Sequence, residues 1–235
     1  CLTCRNCETT CPSGVEYGHL IDIGREWLET RVARNPADKL RREGLRRFLL
    51  APGLFGGLLK LGRGVRGFLP AGLKRHVPEV RPTPASEARS TPASGHTRRM
   101  LLLEGCVQPD IDPGINAAAV RVLDRLGIAL ASAPSAGCCG ALSQHLGALE
   151  AAREAMRRNI DAWWPEIVAG AEAIVMTASG CGSQVKDYGY LLRDDPDYAE
   201  KAARVSALTR DLAEVLAGED LAALKPGRSR RIAFH

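Results

Sequence analysis

From residue 100 onward, short apolar runs alternate with stretches of helical periodicity. Residues 100–103 are apolar at every position, as in a strand buried on both faces of a parallel sheet. Ile115, Ala118, Ala119, Val122, Leu123 and Leu126 then recur at helical spacing, and Gly127 suits the position just past a helix end. Residues 128–133 predict a second strand, 147–160 a helix and 173–177 a third strand. Helices are predicted over 183–193 and 197–217. After the turn at Pro226-Gly227, residues 231–234 read as a fourth strand. Strand–helix alternation implies a parallel sheet with right-handed crossovers, hence an α/β domain.

Upstream the pattern differs. Leu20, Ile23, Trp27 and Leu28 share one face of a predicted helix over 19–33. Over 31–76 apolar patches (Leu45, Phe48, Leu49, Leu50, then Leu54, Phe55, Leu58, Leu59, Leu61) interleave with basic residues. Pro52, Gly53, Gly56, Gly57, Gly62 and Gly64 are expected to break this stretch into short helices. Pro78, Pro82, Pro84 and Pro92 mark 77–98 as a semi-rigid linker. Charge sharpens the division. Residues 31–76 carry twelve Lys/Arg against two Asp/Glu, although the whole chain is only +5. Such an arm can pack on its own protein as a solvated, irregular segment, dock on a partner subunit, or lie on an anionic membrane face. Nucleic acid is disfavoured, because aromatics are sparse and no recognition motif is present. No apolar run approaches the roughly 20 residues that span a bilayer.

The eight cysteines fall into two groups, 1, 4, 7, 11 and 106, 138, 139, 181. A disulfide framework belongs to short chains without a core, so metal or cluster ligation is preferred. Cys1, Cys4, Cys7 and Cys11, followed by Pro12, have the spacing C-x2-C-x2-C-x3-C-P, the ferredoxin run for a [4Fe–4S] cluster. Two-residue gaps let a tight turn wrap three thiolates around one cubane, with backbone N–H groups pointing at the sulfurs. In two-cluster proteins the fourth thiolate serves the other cluster. Cys1, Cys4 and Cys7 would then hold one cubane and Cys11 a second. The chain starts at Cys1 and ends on a strand-like stretch, so sequence is expected to be missing at both ends.

Cys106, the Cys138-Cys139 pair and Cys181 each follow a predicted strand in a Gly-rich setting. Ligands of parallel sheets sit beyond the carboxyl ends of the strands, so these four cysteines are placed on one sheet edge, in loops. Four buried thiols packing as small hydrophobes would not need such settings. Four soft thiolates suit zinc or iron–sulfur equally; the upstream ferredoxin run favours iron–sulfur, since centres in series make an electron path. His19 is read as a surface or capping residue, and His145 as neither ligand nor donor.

The pattern Cys106…Cys138-Cys139-Gly140…Cys181 resembles the CCG cysteine-rich domain of heterodisulfide reductase B-type subunits, whose thiolates can hold a non-cubane [4Fe–4S] cluster. Thirty-one residues separate Cys106 from the pair, within that family's range, but the final C-x2-C is reduced to Cys181 alone. More narrowly, the strings around Cys1–Val15, Ala136–Ala141, Asn159–Pro165 and Thr177–Gly182 resemble the iron–sulfur subunits of bacterial glycolate oxidases (glycolate dehydrogenases). That resemblance implies a further ferredoxin motif before Cys1 and a second CCG repeat after His235. It also implies flavin-containing (FAD) dehydrogenase partner subunits and a quinone or membrane acceptor. The location implied is cytoplasmic, peripheral to the inner face of the cell membrane.

The expected architecture follows. Residues 1–35 end a ferredoxin-like all-α domain that holds two [4Fe–4S] clusters in the full-length protein. Residues 36–98 form the basic arm and Pro-rich linker, 99–228 a Rossmann-like parallel α/β CCG domain, and 229–235 the start of a second repeat. The chain itself would transfer electrons rather than oxidise substrate, because no general base, oxyanion site or Gly-rich nucleotide fingerprint is present. The sheet-edge centre would be a non-cubane [4Fe–4S] cluster or zinc. Other readings stay open: the same subunit in a lactate or glycerol-3-phosphate dehydrogenase, disulfide chemistry at the CCG centre, or a zinc-stabilised structural domain.

Overall fold

The computed structural model describes residues 5–51, 53–75, 77–78 and 95–224. Cys1, Cys4, most of the Pro-rich linker and the expected strand at 231–234 lie outside the described residues.

Four parallel strands form the sheet: β1 (Arg98–Leu102), β2 (Ile128–Ser132), β3 (Ile174–Met176) and β4 (Thr209–Asp211), in the order β2-β1-β3-β4. Arg98 pairs with Ile128, Leu101 with Ile174, and Ile174 with Thr209. Alternation along β1 sorts its side chains to two cores. Leu101 and Leu103 pack with Met156, Ile160 and Trp163 of one helix. Met100 and Leu102 pack on the other face with Val120 and Leu123. Both faces are covered, which is why the strands read as continuous apolar runs.

The helices, in chain order, are α1 (Asn6–Thr10), α2 (Tyr17–Arg31), α3 (Pro36–Leu50), α4 (Leu54–Gly64), α5 (Ala71–Lys74), α6 (Gln108–Ile111), α7 (Gly114–Arg125), α8 (Ala141–His145), α9 (Leu149–Val168), α10 (Ser179–Lys186), α11 (Tyr188–Leu191), α12 (Ala199–Leu208) and α13 (Leu212–Ala217). Three expectations need correction. The helix expected over 197–217 is interrupted by β4, whose Thr-Arg-Asp sequence carries no strand signal and is extended because it pairs with β3. A legible sign was present: Glu214 accepts from the Asp211 N–H at 2.7 Å, half of a capping box that starts a new helix. The helix expected over 147–160 runs on to Val168, with Trp163 fully buried. The helix expected over 183–193 starts earlier, at Ser179, and is divided at Asp187.

The basic arm is not irregular. Asn35 caps α3 through Oδ1, which accepts from the Ala37 N–H at 3.0 Å, and Pro36 occupies the first turn. The arm packs on its own α/β domain. Arg63 of α4 donates to the carbonyls of Asp110 (2.9 Å) and Ile111 (2.8 Å). Arg46 of α3 donates to Ser143 Oγ (3.2 Å) and pairs with Glu43. Gly56 is buried directly against the Asp110 carboxylate, where a side chain would collide. Replacing Arg63 with Ala should weaken docking by on the order of 1–3 kcal/mol, the value of hydrogen bonds from a charged donor. Trypsin should then cut within 53–75 several-fold faster, with the circular dichroism of the remainder kept; an unchanged cleavage rate would show that these contacts do not hold the arm.

Candidate metal centre

Cys106 follows β1, Cys138 and Cys139 follow β2, and Cys181 follows β3, all beyond the strand carboxyl ends. Cys181 is not in a loop, as the sequence suggested, but in the first turn of α10. The four thiols meet in series. All four are free thiols, and they couple through hydrogen bonding in sequence: Cys106 with Cys138, Cys138 with Cys139, and Cys139 with Cys181. Gly105 and Gly140 have φ of +82° and +90°. At Gly140 a Cβ would also sit 3.1 Å from the Ala152 carbonyl, so only glycine fits the step from the cysteine pair into α8.

This contact order polarises the thiols. Cys138 is held well below the usual thiol range, first by hydrogen bonds from Cys106 and Cys139, then by the Gly140 N–H (3.4 Å) and the charge of Arg158. Cys106 and Cys139 are pushed up because each hydrogen-bonds the Cys138 sulfur and is buried. Cys181 is lowered by its hydrogen bond with Cys139. Among the described residues no three Cys, His, Asp or Glu side chains already surround a point that would hold a single ion. The donor set fits a soft-metal or iron–sulfur centre: four sulfurs, Gly-permitted close backbone approach, and a backbone N–H aimed at one sulfur.

Two polar networks fix the backbone around these thiols. Asn159 of α9, fully buried, accepts from the Gly137 N–H (2.8 Å) and donates to the Cys138 carbonyl (2.9 Å) and to Tyr188 Oη (3.1 Å). Tyr188, also fully buried, donates to the Cys139 carbonyl at 2.8 Å. Near Cys106, Gln108 donates to Asn116 and Thr177, and Thr177 donates to Asn116, each at 2.7 Å. Asn116 in turn donates to the Glu104 carbonyl (3.3 Å), tying the segment after β1 to the end of β3. Sequence reasoning did not single out these residues. Asn159 had a signal: it is a polar residue on the apolar stripe formed by Ala152, Ala155, Met156, Ile160 and Trp163 of α9.

The first cysteine group is only partly described. Cys7 is exposed in α1, and Cys11 caps its end. Backbone N–H groups of Val15 and Ser13 point at Cys11 and hold its thiol below the usual range. Two contacts bind this region to the α/β domain. Arg5 bridges both carboxylate oxygens of Asp187, one at 2.9 Å. His19 stacks on Tyr190, with centroids 3.6 Å apart and rings 7° from parallel. His19 is therefore a packed residue, not the surface or capping residue expected. His145 bonds Arg25 at 3.1 Å and lies 3.5 Å from Asp22, joining α8 to α2 rather than serving the thiols.

Residues 100–186 match the CCG family model, described as a cysteine-rich domain. Over all 235 residues the chain is 50% identical to the glycolate oxidase iron–sulfur subunit of Escherichia coli (strain K12), covering 57% of that protein. The chain is homologous to glycolate oxidase iron–sulfur subunits. A probable glycolate oxidase iron–sulfur subunit of Bacillus subtilis (strain 168) is 28% identical over 92% of this chain and 53% of its own length. Lactate utilization protein A of Geobacillus thermodenitrificans (strain NG80-2) is 33% identical over 49% of this chain and 48% of its own. The chain spans a little over half the length of the glycolate oxidase subunits it matches. No solved structure matches it.

Removing the clamp on the cysteine pair should be felt at the centre. Asn159→Ala leaves the Gly137 N–H and the Cys138 carbonyl without their partner, costing about 1–3 kcal/mol. Tyr188→Phe removes the donor to the Cys139 carbonyl and one acceptor of Asn159, but leaves both Asn159 contacts to the cysteine pair in place. Iron bound per chain after anaerobic purification should fall in Asn159→Ala, less in Tyr188→Phe. Full iron in both, with unchanged spectra, would show that the clamp does not position the thiolates.

Proposed function

We propose that the chain is the electron-carrying part of an iron–sulfur subunit in a flavin-dependent glycolate (2-hydroxy acid) dehydrogenase, relaying electrons from a partner's FAD towards the quinone pool. The observation that carries this reading is the convergence of Cys106, Cys138, Cys139 and Cys181 on one sheet edge, in a chain homologous to glycolate oxidase iron–sulfur subunits. Cys1, Cys4, Cys7 and Cys11 would hold ferredoxin-type [4Fe–4S] cubanes, and the four sheet-edge cysteines a further centre, either a non-cubane [4Fe–4S] cluster or zinc. Such clusters supply one-electron steps when bound. The chain's own residues hold the two cysteine regions together: Arg5 lies two residues before Cys7, and its partner Asp187 immediately precedes Tyr188, which grips Cys139. Oxidation of the 2-hydroxy acid is assigned to the flavin subunit. Lactate is the second candidate substrate, favoured by the similarity to lactate utilization protein A.

Iron and acid-labile sulfide per chain, with EPR before and after dithionite, test the reading on anaerobically purified full-length protein and on the Cys138→Ser/Cys139→Ser variant. The variant should lose one signal and keep the ferredoxin-type ones. Zinc at full occupancy without iron would end the electron-transfer reading.

The proposed location is the cytoplasmic face of the cell membrane. The attachment proposed is peripheral; among the described residues no helix is long and apolar enough to cross a bilayer. The outward side of α4 and the segment after it supports this. Leu58, Leu61 and Phe68 are 49%, 62% and 92% exposed, beside exposed Lys60, Lys74 and Arg75. Each basic residue near an anionic surface adds about 1 kcal/mol. Replacing Leu58, Leu61 and Phe68 together with Ser should reduce flotation with phosphatidylglycerol vesicles several-fold. Arg42 and Arg46 turn inward, to the Leu146 carbonyl and Ser143, so their replacement would undock the arm instead. Equal flotation of the triple variant would remove the membrane-facing assignment.

A further inference from the structure

A cavity of about 560 Å³ lies between the arm and the α/β domain. Part of this volume borders Cys106 and Cys138, where the proposed centre would sit, and the rest lies under the arm. Of the four sheet-edge cysteines only Cys106 and Cys138 line it; Cys139 and Cys181 do not. Its other wall is built by the arm, which carries no cysteine: Leu49 and Leu50 from the end of α3, and Phe55 from α4. Phe55 meets Phe48 edge-on at 5.9 Å, so this wall is aromatic as well as aliphatic. Arg46 and Arg158 line the cavity and supply guanidinium donors. Arg46 is held by Glu43 and Ser143, whereas Arg158 makes no hydrogen bond or salt bridge among the described residues. Leu49, Leu50 and Phe55 face the two cysteines, with the guanidiniums of Arg46 and Arg158 and the carboxylates of Asp110 and Glu154 around them; this mixture suits a flat, apolar ring that carries oxygen acceptors.

We propose that this cavity is the quinone-binding site, with the arm as its wall. The ring lies against Leu49, Leu50 and Phe55, and a carbonyl oxygen accepts a hydrogen bond from Arg158. The proposal rests on the electron-transfer reading above and deepens it, by placing the acceptor beside Cys106 and Cys138. Phe55 lines the cavity, while Leu58 and Leu61 of the same helix are exposed.

The test uses the full-length, cluster-loaded protein and an azido-substituted short-chain ubiquinone, with labelled peptides identified by mass spectrometry. The label should fall on residues 46–55 or 154–158 and be competed by unlabelled decylubiquinone. Arg158→Gln and Phe55→Ala should each weaken labelling by about tenfold, a loss of one anchoring contact; the EPR signals should stay unchanged in Phe55→Ala, while Arg158→Gln, which also removes a charge from beside Cys138, is judged on labelling relative to bound iron. Arg158→Gln, on the exposed side of α9, guards against arm unfolding in Phe55→Ala. Labelling elsewhere, labelling indifferent to both variants, or no labelling at all would overturn the proposal. Those outcomes leave the electron-transfer reading to its own test, because cluster content and dithionite-reduced EPR are read on the same samples without quinone.

Discussion

In a parallel sheet every strand delivers the segment that follows it to the same edge, and β1, β2 and β3 each do so with a cysteine-bearing segment. The register that pairs Arg98 with Ile128 and Leu101 with Ile174 brings those exits side by side. Without it, Cys106, Cys138 and Cys181 would be separated by tens of residues and no common partner. Two apolar cores hold the register, one on each face of β1, so the stability of the site is the stability of the sheet.

On that frame the thiols are held by their backbone more than by their side chains. The buried Asn159 and Tyr188 take up the Gly137 N–H and the carbonyls of both cysteines. Buried polar groups that lack partners are costly, so a fully satisfied clamp gives the cysteine pair one backbone conformation. Hydrogen bonding among the sulfurs then lowers Cys138 and Cys181 relative to Cys106 and Cys139. Soft-metal chemistry needs thiolates already available at the edge of a rigid element. The Gln108–Asn116–Thr177 network does the same for the segment that bears Cys106.

The N-terminal helices and the basic arm then enclose this edge from two directions. Arg5, His19 and Arg25 fasten the first cysteine group beside α11 and α8. Arg46 and Arg63 fasten α3 and α4 over Cys106 and Cys138. A strongly basic segment thus spends part of its charge on carbonyls, a hydroxyl and a carboxylate of its own chain. The outer surface keeps Lys60, Lys74 and Arg75 exposed among apolar residues.

Much of this was legible in the sequence. Apolar runs marked the three strands that carry the site, because strands buried on both faces need apolar residues throughout. Glycines beside the cysteines marked the places where the backbone must turn sharply. The spacing of Cys1, Cys4, Cys7 and Cys11 pointed to iron–sulfur chemistry, since it is a local property, whereas the second group comes together only through the sheet. What the sequence did not hold was anything that depends on a distant neighbour. β4 is a strand because β3 is beside it, and Thr209–Asp211 has no local preference to announce it. Arg42, Arg46 and Arg63 look like any solvated basic residues until the carbonyls and the hydroxyl they reach are in place. Asn159 and Tyr188 carry no spacing relative to Cys138 and Cys139. Their roles exist only because α9 and α11 pack against the same sheet edge, and only the tertiary structure sets that contact.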